Sequence, residues 1–182
     1  MVLKINIIKI IIFISIILLP IISYADDHLE SNRKDIATIS KAIGFMQNGP
    51  KGLLDMAILY DPNSNESLEQ AKHIEAIVAE PIGKGKVRLL GKKLAVRYLE
   101  NNKKHKVIFV TKGVVRKYKR LLEKAQNNGI ITVSTDEYCL TSGGCLLSVK
   151  TTPSVEISMN TKVAKRTGVR FASAFRMMIV RK

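Results

Sequence analysis

Two cysteines, Cys139 and Cys145, and three histidines, His28, His73 and His105, are the side chains best suited to redox, metal or nucleophilic work in this 182-residue chain. The cysteines lie in the stretch YCLTSGGCLLSV (138–149), with Gly143-Gly144 between them. A pair so placed could be a redox couple, half of a metal site or a covalent staple. The two-residue gap of a thiol oxidoreductase is absent, and no helix-opening pattern is evident at this loop to lower a thiolate pKa. Zinc would need further ligands, and the three histidines are scattered without ligand spacing. Which chemistry applies depends on the compartment.

The amino terminus answers that. Lys4 and Lys9 precede an apolar run, IIIFISIILLPIIS (10–23), and the small residues Ser23 and Ala25 precede the polar DDHLES. A basic start, an apolar middle and a small-residue exit predict a cleavable secretory signal over residues 1–25. The run is short for a spanning helix, and Pro20 interrupts it. The mature chain is then residues 26–182, a single domain exported to an oxidising compartment. There a close pair is most simply a disulfide, and glycines at 143 and 144 let the chain turn back between the sulfurs. Redox and metal roles are the alternatives that spacing disfavours.

Charge narrows the partners. The chain has 30 Lys and Arg against 15 Asp and Glu; without Lys4 and Lys9, 28 basic residues leave a net charge of +13. The cations crowd GKGKVRLLGKKLAVR (83–97), KKHK (103–106) and KGVVRKYKR (112–120), so anionic partners are favoured. No nucleic-acid module is present and an exported protein meets little nucleic acid. That leaves an anionic membrane surface or an acidic protein face, with a basic face expected at Lys112, Arg116 and Lys119. A lysine-rich composition, visible also in the signal, accounts for much of this charge without any partner.

Strand and helix signals alternate. Ile36, Ile39, Ile43 and Met46 share one face of a helix over 35–46, stopped by Gly49-Pro50. LLDMAILY (53–60) reads as a buried strand ending at Asp61-Pro62. Asn63, three residues before Glu66, predicts a capping box for a helix carrying Leu68, Ala71, Ile74 and Val78. VRLL (87–90) predicts a strand, and 94–99 fits a helix turn or an extended piece. KVIFV (106–110) predicts a strand, Val114, Tyr118, Leu121, Leu122 and Ala125 a helix, and Asn128-Gly129 its stop. IITVS (130–134) is the next strand; CLLSVK (145–150) and VEISMN (155–160) form a hairpin, and 161–168 a short helix. The expected fold class is α/β: three layers, a mostly parallel sheet covered by helices, with a C-terminal antiparallel hairpin at its edge.

No nucleophile elbow, zinc helix, phosphate-binding glycine loop or carboxylate dyad appears, so the expectation is a protein that is not an enzyme and holds no cofactor or metal. GKGK (83–86) is too short for a phosphate cradle and lacks the helix that should follow it. Ligands of open α/β sheets bind outside the carboxyl ends of the strands. This points to Asp61, Thr111, Gly113, Ser134, Thr135 and Asp136 as cleft lining, although strand-end loops are polar in any case.

The stretch ITVSTDEYCLTSGGCLLSVKTTPSVEISMNTKVAKRTGVRFASAFRMM (131–178) resembles the periplasmic YfiR-like family. The likeness begins near Val107, and its most specific elements are Thr132-Val133-Ser134, Gly143-Gly144, Val155-Glu156-Ile157 and Gly168. The resemblance implies an α/β periplasmic protein without catalytic activity. It also implies a partner: the periplasmic domain of an inner-membrane signalling protein of the diguanylate-cyclase type, restrained by docking. Cys139 and Cys145 match one family disulfide by position. The chain departs from the family in having no Trp where FMQNGPKGLL (45–54) replaces an aromatic segment. A second likeness, of MAILYDPNSNESLEQAKHIEA (56–76) and VIFVTKG (107–113), is to one lobe of transporter-type periplasmic binding proteins. It implies a single-lobe module for a small ligand. A structural envelope protein using its basic face on anionic lipid is the third reading.

Overall fold

The computed structural model of the chain describes residues 30, 32–101 and 104–182. The export signal expected over 1–25, its cleavage point, His28 and Lys103 lie outside the described residues.

Strand β2 (Gly52–Tyr60) shows why the sheet is buried on both faces. Met56 and Ile58 point to one side, Ala57 and Leu59 to the other, and all four are solvent-inaccessible. Alternation places successive side chains on opposite faces, so a run apolar at every position needs cover on both. β4 (Val107–Val110) and β5 (Ile131–Ser134) are buried throughout in the same way. One face carries α1 (32–44), α2 (Asn65–Ile77) and α5 (Thr161–Thr167), through Ile36, Ile39, Ile43, Ile74 and Val163. The other carries α3 (Val114–Asn127) and the short α4 (Glu137–Thr141), with Val114, Val115, Leu122, Cys139 and Cys145. Each large aliphatic side chain so buried contributes about 1.5–3 kcal/mol.

The strand order is β3-β2-β4-β5-β6-β7-β9, where β3 is Val87–Ala95, β6 Leu147–Lys150, β7 Glu156–Met159 and β9 Val180–Arg181. Every neighbouring pair is parallel except β6–β7, the expected hairpin. The two-residue β9 lies outside that hairpin. A separate two-stranded sheet pairs β1 (Met46–Gln47) with β8 (Arg170–Phe171), and α6 (Ser173–Arg176) follows it. The expected three-layer α/β architecture is therefore the one observed.

Local details differ from the sequence reading. α1 ends at residue 44, not 46, because Met46 pairs with Phe171 instead of extending the helix. The cap of α2 is Ser64, whose hydroxyl accepts from the Ser67 amide at 3.3 Å. Asn63 is not the cap; its amide donates to Asp61 Oδ1 at 3.0 Å, closing the turn that contains Pro62. β3 continues through Ala95 before a 3-10 turn at Val96–Tyr98, so both readings of 94–99 hold for part of it. The cysteine loop does open a helix: Asp136 caps α4, accepting from the Tyr138 amide at 2.9 Å.

Candidate functional site

The carboxyl ends of β2, β4 and β5 converge, and their polar side chains face one another. The Asp61 amide donates to Ser67 Oγ at 2.9 Å, and the Ser67 and Thr111 hydroxyls lie 2.6 Å apart. Thr111 donates its single hydroxyl hydrogen to the Leu59 carbonyl at 2.9 Å, so Ser67 must be the donor to Thr111. The result is a directed chain from Asp61 N–H through two hydroxyls to a strand carbonyl, with no hydrogen left for a ligand. Asp61, Ser67 and Thr111 are all buried.

The Asp61 carboxylate is equally occupied. Oδ2 accepts from Lys117 Nζ at 3.1 Å, and Oδ1 from the Asn63 amide at 3.0 Å and the Tyr118 hydroxyl at 3.4 Å. Burial by itself pushes this carboxyl up. The Asn63 amide, the Lys117 ammonium and the Tyr118 hydroxyl outweigh burial and hold it below the usual carboxylate range. A carboxylate with a lowered folded-state pKa contributes stability that is complete above its unfolded value, about 3.9. That contribution is lost as pH falls through the folded value. Asp61→Asn should therefore cost about 1–3 kcal/mol near neutrality, and the gap to wild type in denaturant titrations should close below about pH 4. A gap that stayed constant into acid would show that the charge contributes nothing.

At the next strand end, the Ser134 hydroxyl donates to the Val110 carbonyl at 2.7 Å and accepts from the Asp136 amide at 3.0 Å. Gln70 bridges to this point: its Nε2 donates to Thr135 Oγ1 at 3.3 Å and its Oε1 accepts from the Lys112 amide at 2.7 Å. Gly113, at φ 78°, forms the turn into α3. The structure thus ties Asp61 and Thr111 into one network and joins Lys112 to Thr135 through Gln70. Ser134 and Asp136 form a second unit that opens α4.

Beside this edge lies a depression of about 370 Å³ lined by Lys112, Thr135, Asp136, Glu137, Lys150 and Glu156, with Ser148 and Ser158 at its floor. Cations and carboxylates are mixed there. The expected basic face is likewise not a bare positive field: Lys112 Nζ is 3.4 Å from Glu66, and Lys119 Nζ is 4.0 Å from Glu123. Arg116 instead lies over the Tyr138 ring, 4.6 Å from its centroid, and the tyrosine is 46% exposed. Tyr138 stands one residue before Cys139, whose sulfur is bonded to Cys145 at 2.05 Å beneath the surface.

Sequence reasoning missed Ser67, Gln70, Lys117 and Tyr138. The first two carried a usable signal: Ser64, Ser67 and Gln70 recur at three-residue steps from the cap of α2, a polar line aimed at the strand ends. Lys117 and Tyr138 carried none, since each meets its partner only across the fold.

A family model described as YfiR/HmsC-like matches residues 47–178, well over half of the chain. No curated protein matches the sequence. Among solved structures, an ABC domain in complex with L-Trp from Streptococcus pneumonia superposes with a TM-score of 0.58 at 12% identity, covering 83% of this chain and 61% of that one. A conserved domain protein from Vibrio cholerae gives 0.57 at 9% identity, with coverages of 82% and 59%. A substrate binding protein with adhesive properties from Clostridium difficile, in its ligand-free, open form, gives 0.55 at 14% identity, with coverages of 82% and 58%. The chain spans about three-fifths of each of these, and at such identities the likeness is one of fold.

Proposed function

The chain belongs to the YfiR/HmsC-like family, and from that premise we propose that it is a periplasmic regulatory protein without catalytic activity, which docks on the periplasmic domain of an inner-membrane signalling protein of the diguanylate-cyclase type and restrains it. Export is supported by the basic, apolar and small-residue pattern of residues 1–25.

The observation that carries the reading is the Arg116–Tyr138 pair beside a strand-end edge whose own hydrogen bonds are spent internally. Ser67, Thr111 and Ser134 commit their hydroxyl hydrogens to protein acceptors. Exposed Tyr and Arg, by contrast, are the residue types that dominate binding energy at protein interfaces. Tyr138 sits on α4 directly beside the stapled loop, so little ordering entropy is lost when it docks. Alanine at Tyr138 or Arg116 should weaken binding to the isolated partner domain at least about tenfold, near 1.4 kcal/mol, without moving the melting temperature. Unchanged affinity in both variants would remove this surface from the interface, and turnover of a substrate abolished by a change at the strand ends would remove the non-enzymatic reading.

The mixed-charge depression at Thr135, Asp136 and Lys150 favours a second reading, a small-molecule-binding module, in keeping with the fold shared with a substrate binding protein. A ligand that copurifies with the protein and is displaced by Lys150→Glu would select it.

A further inference from the structure

The opposite end of the sheet carries a feature the docking reading does not use. α1 and the GKGK loop (83–86) face each other across a groove of about 720 Å³, with Arg33, Lys34 and Lys41 on the helix side and Lys84 on the loop. A recess of about 220 Å³ adjoins it, sharing Lys41 and Lys84 and adding Lys86. Against these five cations the lining supplies one carboxylate, Glu30, which lies 3.6 Å from Lys34. Arg33, Lys41, Lys84 and Lys86 have no acidic partner among the described residues. The lysines of α3 differ: Lys117, Lys119 and Lys124 each have one. Gathering like charges around a concavity opposes folding and raises the local concentration of anions.

The loop is also a built surface. A side chain at Gly83 would put its Cβ 2.1 Å from Ser40 Oγ, and Gly83 is at φ 107°, so only glycine lets the loop seat on α1. The Ser40 hydroxyl donates to the Val87 carbonyl at 2.7 Å, and the Gly52 amide donates to the Lys86 carbonyl at 2.8 Å. Ile82 and Leu89 exchange two backbone hydrogen bonds of 2.9 and 2.8 Å across the loop's base. Between these anchors, Gly83 and Gly85 both have positive φ, 107° and 91°, on either side of Lys84. The amides of Gly83, Lys84 and Gly85 donate to no acceptor among the described residues.

We infer that this groove binds a small soluble anion bearing phosphate, held by the loop amides together with Lys84 and Lys86, and by Arg33 and Lys41 from α1. Arginine matches phosphate oxygens bidentately and lysine as a point charge. A concave lining suits a compact phosphate ligand better than a flat lipid surface. The groove stands at the amino ends of β2 and β3, away from the Arg116–Tyr138 surface, so neither proposal depends on the other.

Calorimetric titration of the purified protein with inorganic pyrophosphate tests it. One saturable site is expected, weakening as salt rises. In the Lys41→Glu/Lys84→Glu variant affinity should fall at least about tenfold, whereas Lys119→Glu/Arg120→Glu should leave it within about twofold. Both pairs are exposed, and circular dichroism of each variant checks that it is folded. Absence of saturable binding, or equal losses in the two variants, would overturn the inference. So would binding to phosphatidylglycerol vesicles that pyrophosphate fails to displace, which would make the groove a membrane contact.

Discussion

Replacing Cys139 and Cys145 together with alanine is expected to lower the unfolding free energy by about 2–3 kcal/mol, the chain-entropy value of so short a closed loop. In a domain of this size that corresponds to a fall of roughly 4–12 °C in melting temperature. The sulfurs join residues six apart, and neither cysteine is accessible to solvent. They belong to the apolar cluster under α3, with Val114, Val115 and Ala125. The amides of Gly144 and Cys145 both donate to the Cys139 carbonyl, at 2.9 and 3.0 Å, so the loop already closes by hydrogen bonds and the covalent bond holds it closed. Gly144 is what lets it sit there: a Cβ would come within 2.3 Å of Val115 Cγ2. Alanine at the two cysteine positions keeps the burial apolar and removes only the bond and two sulfurs. An unchanged unfolding midpoint in the double variant, or two alkylatable thiols in protein taken from the oxidising compartment without reductant, would defeat the expectation.

Legibility followed the range of the forces involved. The apolar runs at 53–60, 106–110 and 130–134 declared their strands, because burial on both sheet faces leaves a signature within the run itself. The helical spacing of Ile36, Ile39 and Ile43 was equally local, and all three are buried. Ends were less legible. Asn63 and Ser64 are both competent caps, and only the turn that Asp61 closes with the Asn63 amide decides for Ser64. α4 escaped because one and a half turns offer no periodicity, and Asp136, its cap, was read only as cleft lining. At the strand ends the polar residue types were legible, but the partners they take were not. Whether Ser67 and Thr111 present hydroxyls to a ligand or to each other is a matter of a 2.6 Å approach between side chains 44 positions apart. No spacing rule reaches that far. GKGK shows the same limit from the other side, since the helix facing it is α1 (32–44), far upstream, and not the segment that follows.

Gln126 was invisible to sequence reasoning for the same reason, and its removal is expected to rank with loss of the disulfide. It is a fully buried amide near the end of α3. Its two Nε2 hydrogens serve three acceptors, Thr132 Oγ1 at 3.1 Å and the Gly144 and Gly143 carbonyls at 2.9 and 3.3 Å, so one hydrogen is shared. Its Oε1 accepts from Arg166 of α5 at 2.6 Å. One side chain therefore joins α3, β5, the stapled loop and α5. In Gln126→Ala the buried Gly144 carbonyl loses its side-chain donor and Thr132 loses one of two, the other being the Leu146 amide at 3.2 Å. Arg166 is partly exposed and has Glu123 at 3.8 Å, so it suffers least. Each buried acceptor stripped of a donor costs about 1–3 kcal/mol, giving an expected loss of about 2–4 kcal/mol in denaturant titration. A cavity left by the missing amide would contribute as well, and Gln126→Leu separates the two causes, since leucine restores volume but no donor. The leucine variant should remain at least about 1.5 kcal/mol less stable than wild type. If it recovers wild-type stability, packing and not the hydrogen-bond junction is what Gln126 provides, and the stapled loop is held to α3 by apolar contact alone.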